Sequence, residues 1–255
     1  MAWPSLRRLG MAALVVVPTV AHGELVGHWT FDQHGNDLTG HFGNTQFFSG
    51  ATLENGALVV SAELGSWAKA ASYSGPEIHE KTLIAWLTLD ELDVRGGAAL
   101  TLERDSDNVF ENRFDGIVYG EIESRKWMAG SEFYNRTQEV PQDGERESAT
   151  ETVVMAIRYR ADNTISVFRN GNLYSEYSKG QLQSFGDEPT AAVFGKRHTW
   201  PGLAMPYLSA RIDEARIYNE ALSDQFMETL TPVPEPMTGL GLLASLFAFR
   251  RRKAD

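Results

Sequence analysis

The stretch Ser209–Leu222, SARIDEARIYNEAL, decides the fold of this chain. Its residues alternate as a β-strand requires, with Ile212 and Glu214 on one face and with Asp213, Ala215 and Ile217 near a switch of face. A strand so late in the chain needs a partner that is laid down early. The best candidate is Leu25–Asp32, LVGHWTFD, the first strand-like run that precedes the turns. The sequence therefore predicts a sheet in which the first and last strands are neighbours.

The chain between these two stretches consists of short strand-like runs bounded by turn signals, and hardly any segment keeps a helical period over three turns. The runs are Gln46–Phe48, Ala57–Val60, Ser66–Ser72, Thr82–Leu89, Ala98–Leu102, Gly116–Tyr119, Trp127–Phe133, Thr152–Tyr159, Thr164–Phe168, Leu173–Tyr177 and Ala191–Phe194. Asn170-Gly171 supplies the positive φ angles of a type I′ hairpin turn. We predict one all-β sandwich or barrel with a single helical turn at Phe226–Leu230.

The composition restricts the possible classes of function. The 255 residues include no cysteine, which excludes thiol catalysis and cysteine-ligated zinc. Residues 24–230 carry 17 basic and 32 acidic side chains, a net charge of −15. Because such a body repels a polyanionic backbone, we expect no binding to nucleic acid. The excess of carboxylates is compatible with calcium, which prefers oxygen ligands.

The N-terminus has the composition of an export signal. Arg7 and Arg8 precede the apolar run Met11–Val17, and Ala21-His22-Gly23 ends the segment before Glu24. A positive, then apolar, then small-residue order is typical of a secretory signal peptide, here residues 1–23. We therefore expect the protein to be exported.

The C-terminus, residues 231–255, is a second targeting segment. Pro234-Glu235-Pro236 precedes the apolar run Met237–Phe249 and a basic end. This run is shorter than the roughly 20 residues that span a bilayer, so it is a marginal membrane anchor. The order of the three parts resembles the PEP-CTERM sorting signal of Gram-negative bacteria. The resemblance implies an exosortase partner, inner-membrane anchoring before the tail is removed, and delivery to the cell surface or extracellular matrix. An ordinary tail anchor is the alternative.

Residues 24–230 resemble the laminin-G-like jelly roll of the concanavalin A-like lectin/glucanase superfamily. The matching stretches are Leu25–Asp32, Asn55–Leu58, Lys81–Trp86, Val154–Tyr159 with Ser166–Gly171, and Ala210–Leu222. The resemblance is least clear over Asp105–Gln142. It implies an all-β, two-sheet antiparallel jelly-roll sandwich whose first and last strands are adjacent.

Relatives of this fold cleave glycans, so catalysis is the first function to consider. Retaining glycosidases need two carboxyl groups about 5–5.5 Å apart, and glucanases of this fold supply them from a Glu-x-Asp-x-Glu strand. The nearest match is Glu121-Ile-Glu123-Ser-Arg125, which ends in a cation. A Ser-His-Asp group can be neither built nor excluded from His28, His34, His41, His79 and His198. We therefore expect no enzyme, with a glycan-cleaving hydrolase as the alternative.

A structural calcium ion is the cofactor that the resemblance implies. Related jelly rolls often hold calcium where the first strand ends near the last, which points to Asp32, Asn36, Asp37 and Asp213. Their side chains are the oxygen donors that calcium requires, although no EF-hand spacing is present. The alternative is that these residues cap turns and accept hydrogen bonds from backbone amides.

Ligand binding would use exposed aromatic rings beside polar groups, because sugar faces stack on rings. The candidates are Trp127, Tyr134, Trp200 and Tyr207. Trp200 stands in a turn-like loop, where it either binds a ligand or packs on its own loop. The sequence predicts an exported, non-catalytic module for carbohydrate or protein recognition, with a purely structural matrix protein as a further alternative.

Overall fold

The computed structural model describes residues 23–106, 108, 111–140, 143–200, 202 and 204–233. They form two antiparallel sheets with very little helix, which confirms the predicted jelly-roll sandwich. Residues 1–22 of the predicted signal peptide, and Pro234, Glu235 and Pro236 of the predicted sorting signal, lie outside this range. None of the helices in these ranges is long and apolar enough to cross a membrane.

The strands are short and joined by turns, as the sequence indicates. They are β1 Leu25–Trp29, β2 Gln46–Phe48, β3 Thr52–Glu54, β4 Ala57–Val60, β5 Trp67–Ala70, β6 Lys81–Leu89, β7 Ala98–Arg104, β8 Phe114–Tyr119, β9 Trp127–Ser131, β10 Thr152–Tyr159, β11 Thr164–Arg169, β12 Asn172–Ser178, β13 Thr190–Phe194 and β14 Ala210–Tyr218. A 3-10 turn, Glu132–Tyr134, follows β9, and helix α1 spans Asp224–Met227. Sequence patterns had not predicted the three-residue strand β3.

The two sheets have different strand orders. The back sheet has the order β12-β11-β10-β6-β14-β4-β3, with β1 also paired to β14. The front sheet has the order β2-β5-β13-β7-β8-β9. In the back sheet Leu25 of β1 lies opposite Tyr218 of β14, and Trp29 lies opposite Ala215. The predicted pairing of the first and last strands is therefore confirmed.

A bulge explains the switch of face in β14. Its register against β6 shifts between Ile212 and Glu214, so Asp213 is the extra residue. Ile212 and Ala215 both face the core between the sheets, whereas the buried Glu214 binds His28 on the other face. The predicted common face of Ile212 and Glu214 is therefore wrong, because the bulge separates them. One edge of β14 pairs with β4 at Ala210–Ile212 and with β1 from Ala215 onward. The bulge lies between these two pairings.

The Asn170-Gly171 turn has the predicted conformation. Both residues have positive φ, 50° and 79°, as a type I′ turn requires. The turn also contacts the C-terminal segment, because a Cβ on Gly171 would lie 2.9 Å from the carbonyl oxygen of Leu230. A glycine is therefore needed there both for its φ and for this close approach.

The C-terminal segment covers the outer face of the back sheet. Met227 and Leu230 pack on a cluster of strand side chains that comprises Ile84, Trp86, Val154, Ala156 and Phe168. The Trp86 indole nitrogen donates a hydrogen bond to the carbonyl oxygen of Thr231 at 2.8 Å. The middle of the back sheet, along β6 and β10, is thus buried on both faces.

Candidate functional site

A line of four rings leads from the outer face of the front sheet to the surface. Phe114 of β8 contacts His198 with ring centroids 4.6 Å apart, and His198 contacts Trp200 at 4.7 Å. Trp200 in turn contacts Phe133 at 5.0 Å. Burial falls along the line, because Phe114 is 2% exposed and Phe133 is 66% exposed. The line therefore runs from the buried Phe114, which supports it, to the exposed Phe133.

The loop that carries Trp200 is fixed to the front sheet by hydrogen bonds. Glu103 of β7 accepts from the backbone nitrogen of Thr199 at 2.8 Å and from its hydroxyl. Thr101 donates to the carbonyl oxygen of Arg197 at 2.8 Å. Because Thr101 and Glu103 alternate with core residues along β7, they face outward and reach this loop. The loop position is therefore set by a rigid strand.

Polar groups lie directly beside the exposed rings. The Tyr134 hydroxyl donates to Glu121 at 3.0 Å, and Glu121 also contacts Arg197. Phe133, Tyr134 and Trp200, with Glu121 and Arg197, are called the ring site below. Rings beside a carboxylate and a guanidinium offer a stacking surface together with hydrogen-bond donors and acceptors.

The backbone at the ring site is strained. Phe133 and Tyr134 have φ of 49° and 58°, in the left-handed region that bulky residues rarely occupy. The strain turns both rings outward directly after β9 ends at Ser131. Such strain costs about 1–3 kcal/mol per residue and concentrates at binding and catalytic sites.

Burial controls the charges beneath the rings. Burial, together with the nearby charges of Arg197 and Lys196, lowers the pKa of His198 to about 3. His198 is therefore a neutral aromatic support at physiological pH. Burial also lowers the pKa of Arg197, whose Nε is buried with no hydrogen-bond partner among the described residues.

Three of the four aromatic residues predicted from sequence are at least partly accessible. Trp200 and Tyr134 belong to the ring site, whereas Tyr207 packs elsewhere, with its ring centroid 5.4 Å from Lys196 Nζ. The expected exposure of Trp127 is wrong, because this ring is 1% exposed and its indole donates to Glu147 at 2.8 Å. Trp127 faces the core because β9 alternates. Sequence patterns missed Phe133, which had been placed at the end of a strand.

The carboxylates considered for glycan cleavage are held by cations. Glu121 contacts Arg197, while Glu123 accepts from Arg146 at 3.0 Å and lies 3.1 Å from Lys126 Nζ. In the structure both carboxylates therefore form ion pairs.

A second arrangement relevant to catalysis lies at one end of the sandwich. The Ser184 hydroxyl is 2.5 Å from His79 Nδ1, and His79 Nε2 is 3.1 Å from a Glu77 carboxylate oxygen. Ser184 and Glu77 line a polar cavity of about 330 Å³. However, the His79 and Glu77 side chains are 59% and 47% exposed. Because water competes for both hydrogen bonds, we assign this group to the solvated surface.

Two of the four residues predicted for calcium accept hydrogen bonds from backbone amides. The Asp37 carboxylate accepts from the backbone nitrogens of His28, His41 and Phe42 at 2.8–3.0 Å. Asn36 accepts from the backbone nitrogen of Thr45 at 3.0 Å. Across the described part of the chain, no group of three or more His, Cys, Asp or Glu side chains could hold a metal.

The other two predicted ligands lie near the β14 bulge. A Cβ on Gly56, just before β4, would lie 3.1 Å from an Asp32 carboxylate oxygen, and β4 pairs with β14 beside Asp213. Burial raises the pKa of Asp213. Asn36 and Asp37 thus fit the alternative of turn capping, and within the described residues the four side chains do not form one metal-binding group.

Comparison with known proteins identifies the family and the fold. Residues 63–226 match the family profile of the concanavalin A-like lectin/glucanases superfamily. No curated protein sequence matches the chain. Domain 4 of AbnA, a GH43 extracellular arabinanase from Geobacillus stearothermophilus solved with arabinotriose, superimposes with a TM-score of 0.55 at 16% identity, over 82% of this chain and 98% of that domain.

Two larger proteins contain a similar domain. A Trypanosoma rangeli sialidase matches with a TM-score of 0.58 at 17% identity, over 84% of this chain but 33% of its own length. The binding domain of botulinum neurotoxin DC, solved with rat synaptotagmin II, matches at 0.50 and 10%, over 80% of this chain and 50% of its own. At these identities the likeness shows the fold alone.

Proposed function

The chain belongs to the concanavalin A-like lectin/glucanase superfamily, and from this premise we propose that it is an exported, non-catalytic module that binds a neutral oligosaccharide at the ring site. The observation that carries the proposal is the line of rings that ends in the exposed Phe133 and half-buried Trp200. Strand β7 fixes the loop of Trp200, and a strained backbone holds Phe133 outward, so that the rings form a preorganised stacking platform.

Charge supports a neutral ligand. The body between the two targeting segments carries a net charge of −15, which opposes binding of acidic sugars at low salt. Glu121 and Tyr134 supply acceptor and donor atoms suited to sugar hydroxyls. A neutral arabinose trimer accompanies the similar arabinanase domain, and the ring site here has the chemistry for a ligand of that class.

The proposed location rests on the sequence of the two terminal segments. We propose export through residues 1–23 and sorting through Pro234, Glu235 and Pro236 by an exosortase-type enzyme. The module would be anchored in the inner membrane before the tail is removed, and would then act at the cell surface or in the extracellular matrix of a Gram-negative bacterium. An extracellular polysaccharide or a surface glycan is the partner that fits both this location and the ring site.

Glycan-array screening followed by calorimetry tests the proposal. We expect binding to neutral oligosaccharides that Trp200→Ala weakens by about tenfold or more, because a stacked ring contributes on the order of 1–2 kcal/mol. Phe47→Ala is the matched control, since Phe47 is also partly exposed but lies on β2 away from the ring site. Equal binding by Trp200→Ala and wild type would exclude the ring site.

The same panel separates the alternatives. Release of reducing sugar that is lost in Glu121→Gln or Glu123→Gln would establish a hydrolase instead. Absence of any binding or cleavage, with an intact fold, would favour a structural matrix protein.

A further inference from the structure

A lysine and an aspartate face each other in the core between the two sheets. Lys81 begins β6 of the back sheet, and Asp115 lies in β8 of the front sheet. Both side chains are 0% exposed, and Lys81 Nζ lies 3.0 Å from Asp115 Oδ2. A pair of opposite charges so completely removed from water is unusual and carries a large desolvation cost.

The surroundings of Lys81 hold its amine in one position between the two sheets. Its Nζ donates to the carbonyl oxygens of His79 at 3.0 Å and Gln183 at 2.6 Å, and the rings of Tyr159 and Phe185 lie about 5 Å away. Burial lowers the pKa of Lys81, although Asp115 opposes this shift. Two of the three positions on nitrogen are thus used by carbonyl groups, and the third faces Asp115.

The surroundings of Asp115 hold its carboxyl group in one orientation. Arg136 Nε donates to Asp115 Oδ1 at 2.8 Å. Glu132 fixes Arg136 in turn, because both of its carboxylate oxygens accept from the guanidinium at 2.8 Å. Asp115 Oδ2, the oxygen beside Lys81, is buried and makes no hydrogen bond of normal geometry within the described residues.

We propose that Lys81 and Asp115 condense to an intramolecular amide bond that links the back sheet to the front sheet covalently. The amine and the carboxyl group are already in contact, and one carboxyl oxygen is held while the other is not. Proximity of this kind replaces a bimolecular reaction by a unimolecular one.

The chemistry balances without any further reactant. A proton passes from the Lys81 ammonium to Asp115 Oδ2, which lies 3.0 Å from Nζ, and leaves an amine beside a carboxylic acid. The amine lone pair then attacks Cγ, so that the N–C bond forms and negative charge develops on Oδ1 beside Arg136. A second proton moves from nitrogen to Oδ2, the Cγ–Oδ2 bond breaks, and Oδ2 leaves as water.

Such a bond would suit a domain of this composition. The chain has no cysteine and so no disulfide, yet we propose that it works outside the cell. An amide between β6 and β8 would close a loop of about 35 residues and restrict the unfolded chain as a disulfide does. It would also be insensitive to reducing agents.

Mass spectrometry of the purified full chain under denaturing conditions tests the proposal. We expect a mass about 18 Da below that of the sequence, one water, after both ends have been assigned by peptide mapping. Digestion should yield a branched peptide that joins the segments containing Lys81 and Asp115, with no cleavage after Lys81. A wild-type mass equal to that of the sequence, with two separate peptides, would overturn the proposal.

A second pair in the same chain is a built-in control. Lys69 Nζ lies 2.6 Å from Asp105 Oδ1, but these side chains are 15% and 35% exposed. This hydrated pair should give two unlinked peptides in the same digest. A cross-link there as well would mean that contact alone suffices, and would contradict the role given to burial.

Two variants test the roles of Asp115 and Glu132 in the cross-link. Asp115→Ala should restore the full mass and lower the melting temperature. Glu132→Gln should reduce the cross-linked fraction in protein whose circular dichroism is unchanged, because Arg136 would be held less firmly. If Asp115→Ala does not fold, the wild-type mass and the Glu132→Gln fraction still decide the question. A fully linked Glu132→Gln protein would remove Glu132 and Arg136 from the mechanism.

Discussion

The two outer faces of the sandwich carry similar residues in opposite situations. On the back sheet, Trp86 is 3% exposed and is covered by residues 222–231. The Trp86 indole donates a hydrogen bond to the carbonyl oxygen of Thr231 in that segment. On the front sheet, Trp200 is only half-buried, and its neighbour Phe133 is 66% exposed. One aromatic face has been closed by the chain itself, and the other has been left open.

This difference separates residues that stabilise the fold by burial from residues that are held outward for binding. A tryptophan that is covered by its own chain contributes through apolar burial. A ring that is held outward on a strained backbone contributes little to burial and costs backbone strain. The back face should therefore respond to mutation in unfolding experiments, and the front face in binding experiments.

The largest expected effect is on the closed face. Trp86→Ala should lower the free energy of unfolding by about 3–5 kcal/mol, since it removes a buried ring and leaves a cavity. Urea denaturation followed by fluorescence measures this loss. Phe133→Ala, on the open face, should change the same quantity by only about 0.5 kcal/mol. Similar losses in both variants would mean that the two faces do not differ in role.

The edge of the back sheet tests whether a metal adds to its stability. Asp37→Ala should cost about 2–3 kcal/mol, because several backbone donors lose a charged acceptor. Since the Asp37 carboxylate is already occupied by these donors, EDTA should leave the melting temperature of the wild type unchanged. A melting temperature that falls in EDTA and recovers with calcium would restore the calcium hypothesis, since a ligand bound only by the folded state raises stability.

The contribution of His198, beneath the open face, to the free energy of unfolding should decrease in acid. The pKa of His198 falls from about 6.5 to about 3 on folding, so the unfolded state binds the extra proton between these values. Its stabilising effect is present above pH 6.5 and is lost as the pH falls toward 3, which amounts to about 1–2 kcal/mol between pH 7 and pH 5.

His198→Phe isolates this contribution. It keeps a ring between Phe114 and Trp200 but removes the titrating group. The variant should therefore show a smaller loss of melting temperature from pH 7 to pH 5 than the wild type. An unchanged pH profile would place the acid-sensitive group elsewhere.

Sequence patterns predicted the architecture because alternation and turn chemistry act locally. The switch of face near Asp213 and the positive φ of Asn170-Gly171 could both be anticipated from adjacent residues. The pairing of β1 with β14 followed from the need of a late strand for an early partner. These features depend on the period of a strand and on glycine, and both are visible in the sequence.

The site could be predicted only in part, because it depends on where a strand stops. Trp127 and Phe133 lie in one strand-like run, but β9 ends at Ser131, so Trp127 is in the core and Phe133 is at the surface. No local pattern marks that end. The pairing of Lys81 with Asp115 is equally invisible, since it depends on the packing of two sheets.

The smallest expected effect on stability is also the sharpest test of the open face. Phe133→Gly should keep or raise the free energy of unfolding by about 0.5–1 kcal/mol, because glycine adopts the left-handed conformation without strain. The same change should weaken oligosaccharide binding, since it removes the most exposed ring. Ser49→Gly, in the turn after β2 and outside the ring site, is the matched control for strain, because its φ of 52° is similar. Greater stability with weaker binding would show that the strained backbone at the ring site serves oligosaccharide binding at the expense of stability. Lower stability in Phe133→Gly would instead make Phe133 part of the fold, as Trp86 is.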